Sequence, residues 1–291
     1  MSASCVTNRM GSTVTLALRL FAAFLVAGLG SLLGTEDQPL TADAVMARVA
    51  ANQDRSDKLR SEYVYRQHIH IATRKTGGRL MREETTDYLV VPTSDGTKKE
   101  TKLITGRYWH KGRYLEFHGE PVPEADSLDG DLIQDFRNDL QDDHSRDGFA
   151  RDYFPLTTEE QEKYQFRLLG EETLQERTVY HLGFKPKDKT DYDWAGEAYI
   201  DARDFEPVTV FTKLSRPLPF LIRTLLVDLP GVGFNVQYRQ HPDGVWFPAS
   251  FGTEFRLRLF VFLSRDITIS LENTGFEHTH VKSRIKFEGP E

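Results

Sequence analysis

Two His-x-His pairs, His68 with His70 and His278 with His280, come closer than any other residues of this chain to a metal-ligand pattern. Alternate residues of a strand share a face, so each pair can present two imidazoles together, and four converging imidazoles would hold zinc or another transition metal. The alternative, which the loose spacing favours, is that each pair sits on the solvated face of its strand and the pairs never meet. No metal and no cofactor is expected. The acids Asp129, Asp131, Asp135, Asp139, Asp142 and Asp143 invite a calcium reading, but they do not follow the EF-hand spacing, with its central glycine and terminal glutamate. They are expected to form a solvated helix face that carries charge for solubility. Neighbouring carboxylates such as Glu171 and Glu172 are common at strand ends, and without a cleft to perturb them they do not make an acid/base pair. The chain has no GxSxG elbow, HExxH helix, phosphate loop or dinucleotide fingerprint, so an enzyme is not expected.

The remaining signal is apolar. Pro217 to Pro230 reads PLPFLIRTLLVDLP, and Leu257 to Leu263 adds Leu259, Phe260, Val261 and Phe262. Both runs are too short to span a bilayer. Either could be a flap over a lipid cavity, a patch that touches a membrane or partner, or a buried segment that completes the core. The candidate ligand contacts are Trp109, Trp194, Trp246, Phe211, Phe220, Leu221, Leu225 and Leu226. A tryptophan on a strand serves the core as readily as it serves a ligand.

The elements that would position these side chains begin after an apparent leader. Arg9 and Arg19 are the only charges before Glu36, and an apolar run of fourteen residues extends from Leu20 to Leu33. This is the layout of a secretory signal segment, residues 1–34, with the mature domain at 35–291. The only cysteine is Cys5, ahead of the apolar run, so the mature chain has neither a lipid-anchor cysteine nor a disulfide. Without the leader, thirty-five basic residues face forty-four acidic ones, a balance of minus nine that argues against nucleic-acid binding.

Thr41 caps an expected helix with Val45, Met46, Val49 and Leu59 on one face. From Tyr63 the period changes to two, and strands are expected at Tyr63 to Ile71, Met81 to Val91, Lys99 to Thr105 and Arg107 to Phe117, the last two joined by a turn near Gly106. Leu132, Ile133, Phe136 and Leu140 mark a second helix. Eight further strand segments follow, from Tyr164 to Phe287, with Ile267 to Leu271 and Gly275 to Phe287 as separate strands. Consecutive strands with short connections predict a mainly β, α+β fold. A curved antiparallel sheet of about eleven strands forms an incomplete barrel, and helices cover its concave face.

Three blocks carry a family resemblance: the helix TADAVMARVAAN, the stretch GEETLQERTVYHLGFKPK with GEAYIDARDFEPVTV after it, and VQYRQHPDGVWFPASF. Together with the long meander they resemble the outer-membrane lipoprotein-sorting family, the LolA-like and LolB-like periplasmic carriers. The resemblance implies a half-barrel whose apolar cavity holds the acyl chains of a lipoprotein or another lipid. The chain departs from the sorting carriers in lacking a lipobox cysteine and in its long acidic helix and apolar 218–230 segment. The expected function is a periplasmic, non-enzymatic carrier or chaperone-like protein for an acyl chain, lipid or lipoprotein. Its partners would be that cargo, an envelope protein and, transiently, a membrane. The alternative is a structural or interaction module of an envelope complex whose cavity is filled by its own side chains.

Overall fold

The computed structural model describes residues 40–93, 96–119, 127–141, 154–188, 194–215, 227–228, 232–259 and 263–279. The leader, the site candidates Phe220, Leu221, Leu225 and Leu226, and His280 lie outside the described residues. Helix α1 spans Ala42–Arg60, and the Thr41 hydroxyl accepts from the Ala44 N–H at its start, at 3.2 Å. Strands β1 (Tyr63–Arg74), β2 (Leu80–Thr93), β3 (Gly96–His110) and β4 (Arg113–His118) follow, then α2 (Leu128–Gln141) and the single turn α3 (Thr158–Gln161). The second run of strands is β5 (Tyr164–Leu174), β6 (Arg177–Pro186), β7 (Trp194–Asp201), β8 (Pro207–Leu214), β9 (Val227–Asp228), β10 (Gly233–Gln240), β11 (Trp246–Leu259) and β12 (Leu263–His278).

All strands belong to one antiparallel sheet in the order β4-β3-β2-β1-β12-β11-β10-β8-β7-β6-β5, with the two-residue β9 pairing β11 to the side. The chain therefore makes two meanders, β1–β4 and β5–β12, joined where its first strand pairs its last, Tyr63 opposite His278 and Ile69 opposite Leu271. The sheet is curved but not closed into a barrel, as the strand pattern predicts.

Register and alternation define its inner face. One rung runs from Ile104 on β3 through Ile69, Leu271, Phe251, Val236 and Val210 to Leu182 on β6, and all seven are buried. Burying these side chains, at about 1.5–3 kcal/mol each, is the main force that holds the sheet in this register. Helices cover this face: α1 packs on β5, and α2 packs on β1 and β2. The rung below carries Gly196, where an added Cβ would stand 1.9 Å from the Phe211 carbonyl oxygen, so only glycine lets β7 and β8 approach there.

Three local expectations are corrected. Gly106 is not a turn: β3 continues through it to His110, because Phe117 and the Glu83 backbone crowd the site and leave room only for glycine. The reversal falls instead at Lys111 (φ 44°) and Gly112 (φ 91°). The strands expected on either side of Gly275 are one strand, β12, which passes through this glycine at φ 63°. Leu59 is 42% exposed, and the buried C-terminal face of α1 consists of Gln53, Ser56 and Arg60.

Candidate functional site

Alternation places Phe234 and Val236 of β10 on the inner face, opposite Thr212 and Val210 of β8. Trp194, opposite Leu214 at the start of β7, meets the Phe234 ring edge-on at 4.8 Å, and Phe234 stacks on Phe251 of β11 at 5.1 Å. These three rings form a ladder across β7, β10 and β11. Trp194 and Phe234 are half-buried, whereas Phe251 is 5% exposed. An open cavity of about 480 Å³ over β8, β10, β11 and β12 is lined by Thr212, Phe234, Thr253 and Ile269, whose positions face inward, and by Phe211, Asn235, Gly252, Glu254 and Thr268, which alternation places on the outer face. Its volume is in the range of small-ligand sites. Phe211 is 46% exposed there, and an added Cβ on Gly252 would meet nothing within 4 Å.

Helix α2 approaches this region through buried ion pairs. The Arg265 guanidinium on β12 donates to both oxygens of Asp129, at 2.6 and 2.9 Å, and Arg137 donates to Glu84 on β2 at 2.6 Å. Lys99 adds a bond to the Leu140 carbonyl at 2.8 Å, and Phe136 meets Phe255 edge-on at 5.9 Å. Asp129 is buried and paired rather than solvated as expected, while Asp131, Asp135 and Asp139 are exposed. The charge assigned to solubility thus divides, with one acid fastening the helix to the sheet. Asp142 and Asp143 lie outside the described residues.

At the other end of the sheet, α1 is held by a polar cluster. Ser56 Oγ donates to Glu206 Oε1 at 2.7 Å, Gln53 Nε2 donates to Oε2, and Arg60 donates to the Trp246 carbonyl at 3.0 Å. Asn52 donates to the carbonyls of Asp204 and Phe205, in the β7–β8 turn, at 2.6 and 3.3 Å. Burial pushes the Glu206 carboxyl up to about 7, against the opposing pull of the Ser56 hydroxyl and the Arg60 and Arg55 charges.

Of the sequence candidates, Phe211 lines the cavity from the outer face, whereas Trp194 stands in the inner-face ladder. Trp246 is buried, with the Arg177 guanidinium 5.0 Å from its ring, beside the α1 cluster. Trp109 is on the outer face of the β3–β4 hairpin, edge-on to Tyr114 at 5.0 Å. Phe234 and Phe251 were not among the candidates, although the alternation of GFNVQYRQ puts Phe234 on the same face as Val236. The His-x-His residues stay apart. His68 pairs with Asp87 at 2.6 Å and His70 with Glu83 at 3.6 Å, whereas His278 pairs with Glu62 at 2.9 Å, five rungs away. Among the described residues there is no group of three or more His, Cys, Asp or Glu placed to hold a metal, and no helix is long and apolar enough to cross a membrane.

No family model and no curated protein matches the chain. Among solved structures it is similar to a DUF1329 family protein from Desulfovibrio piger, with 13% identity over 84% of this chain and 95% of that one and a TM-score of 0.36. A LolA-superfamily protein from Nitrosomonas europaea matches at 12% identity over 83% and 94%, with a TM-score of 0.34. An outer-membrane lipoprotein-sorting protein domain from Vibrio parahaemolyticus matches at 12% over 84% and 95%, with a TM-score of 0.37. Two of these structures carry the name of the lipoprotein-sorting group that the sequence blocks resemble.

Proposed function

We propose that this protein is a non-enzymatic carrier or chaperone-like protein that holds the acyl chain of a lipid or lipoprotein against the inner face of its sheet. The observation that carries the reading is the Trp194–Phe234–Phe251 ladder on the inner face, two of whose rings, Trp194 and Phe234, are only half-buried and offer apolar surface to a ligand. An acyl chain needs no polar partner, since each methylene removed from water contributes roughly 0.8 kcal/mol. Burial of eight methylenes would then supply about 6 kcal/mol, a dissociation constant in the tens of micromolar. The ionisable pairs on the same face, Asp129–Arg265 and Glu84–Arg137, are engaged with each other and hold α2, which leaves them out of chemistry on a ligand. The leader makes the protein an exported one that works in the periplasm as a single 35–291 domain.

The test is native mass spectrometry of the processed protein purified from a periplasmic fraction, followed by displacement of a fluorescent fatty acid. Co-purified lipid, and at least a tenfold loss of fatty-acid affinity in Phe234→Asp with the circular dichroism spectrum unchanged, is the expected result. An empty domain that ignores the probe overturns the reading in favour of an interaction module with a self-filled cavity.

A further inference from the structure

Two hairpin turns emerge side by side from one end of the sheet. Arg74 pairs Leu80 across the β1–β2 turn, and His110 pairs Arg113 across the β3–β4 turn. Arg82 of β2 stands opposite Tyr108 of β3, which brings the two tips to the same level. The first turn, Arg74 to Arg79, reads RKTGGR and the second, Trp109 to Leu115, reads WHKGRYL. Together they hold five cations and no acid, in a chain whose net charge is −7. Lys75, Arg79, Lys111 and Arg113 are all exposed. Among the described residues, the acids nearest the turns are Asp266, opposite Arg74 and bonded to Arg256 at 2.6 Å, Glu83, bonded to Arg107 at 2.6 Å, and Glu116, opposite Arg107 one strand further on.

Aromatic rings are interleaved with these cations. Trp109 and the 39%-exposed Tyr114 meet edge-on at 5.0 Å, with the guanidinium of Arg79 5.5 Å from the Trp109 ring centre and that of Arg107 5.2 Å from that of Tyr114. Rings with an apolar body and a polar tip, set among Lys and Arg at a flush front, match the headgroup layer of a membrane better than they match a soluble polyanion. We infer that the paired tips of the β1–β2 and β3–β4 hairpins are a docking surface for an anionic lipid membrane. The cations meet the phosphate headgroups, and Trp109 and Tyr114 lie at headgroup depth. This gives Trp109 a role that its distance from the cavity denies it there. The surface is on the outer side of the sheet, so its test does not depend on whether the inner face holds an acyl chain.

The experiment is co-sedimentation of the mature protein with vesicles of phosphatidylcholine alone and of phosphatidylcholine with an equal part of phosphatidylglycerol. Binding only to the anionic vesicles, weakened as salt is raised, is expected. Each cation near such a surface accounts for about fivefold in affinity, so K75Q/R79Q/K111Q/R113Q should lose two orders of magnitude or more. Lys98→Gln/Lys102→Gln, on β3 near the opposite end, should bind as the unaltered protein does, and Trp109→Ala should lose several-fold. Equal binding to both vesicle types overturns the inference, as does a quadruple variant that folds and binds normally. Retention on heparin without vesicle binding overturns it in favour of a soluble polyanion.

Discussion

Replacing Glu206 by Gln should remove a large part of the pH dependence of stability. The carboxyl lies 5% exposed between α1 and the β7–β8 turn, and burial raises it from 4.5 to about 7. The folded state therefore binds a proton more tightly than the unfolded chain. That contribution is fully present below pH 4.5 and is lost as pH rises through 7. A difference of about 2.5 units at 1.36 kcal/mol each amounts to roughly 3 kcal/mol, a large share of a marginal stability. Gln keeps an acceptor for the Ser56 hydroxyl and carries no charge. Urea unfolding of both proteins at half-unit steps from pH 4.5 to 8.5 isolates the effect, because every other titrating group cancels in the difference. The unaltered protein should lose about 3 kcal/mol relative to Glu206→Gln across this range, most steeply between pH 5 and 7 and hardly at all above about 8. Parallel stability curves for the two proteins would refute both the burial of this carboxyl and its consequence for α1.

Other outcomes follow from the same contacts. Arg265→Met leaves Asp129 buried without its partner and should cost about 3–5 kcal/mol by urea unfolding, whereas adding Asp129→Leu should recover most of that loss. Gly196→Ala forces a Cβ onto the Phe211 carbonyl oxygen and should lower the melting temperature far more than Gly170→Ala, whose Cβ meets nothing within 4 Å. The Thr157 hydroxyl and the Glu160 carboxylate form a reciprocal cap on α3, so Thr157→Ala should cost about 1 kcal/mol in the same assay.

Much of the sheet was legible because alternation is a local signal. Tyr63, Leu182 and Val236 each fall on strands whose faces the sequence predicts, and the curved open form follows from so many consecutive hairpins. Strand ends were harder to place. Glycine marks both turns and close approaches, and Gly106 and Gly275 are of the second kind or are simply passed through. The grip of α1 was not legible at all. Gln53, Ser56 and Arg60 look like solvent residues until Glu206, 146 positions beyond Arg60, is brought beneath them. The burial of Asp129 is hidden in the sequence for the same reason, since its partner Arg265 is 136 residues away. The aromatic ladder lay between these cases: Trp194 stood out by type, but Phe234 and Phe251 acquire their role only from the β8–β10–β11 register.

The pairing of the first strand with the last also sets a timetable for folding. β5 to β11 can zip up hairpin by hairpin, and β1 to β4 can do the same. The rungs from Tyr63–His278 to Arg74–Asp266, however, must wait until the final strand has been delivered. Loop-closure entropy makes this the slow, late step. A chain threaded across a membrane from its amino terminus would therefore stay in two unfinished halves until β12 emerges. Truncation before Leu263 should leave a β1 edge that aggregates instead of a smaller stable sheet.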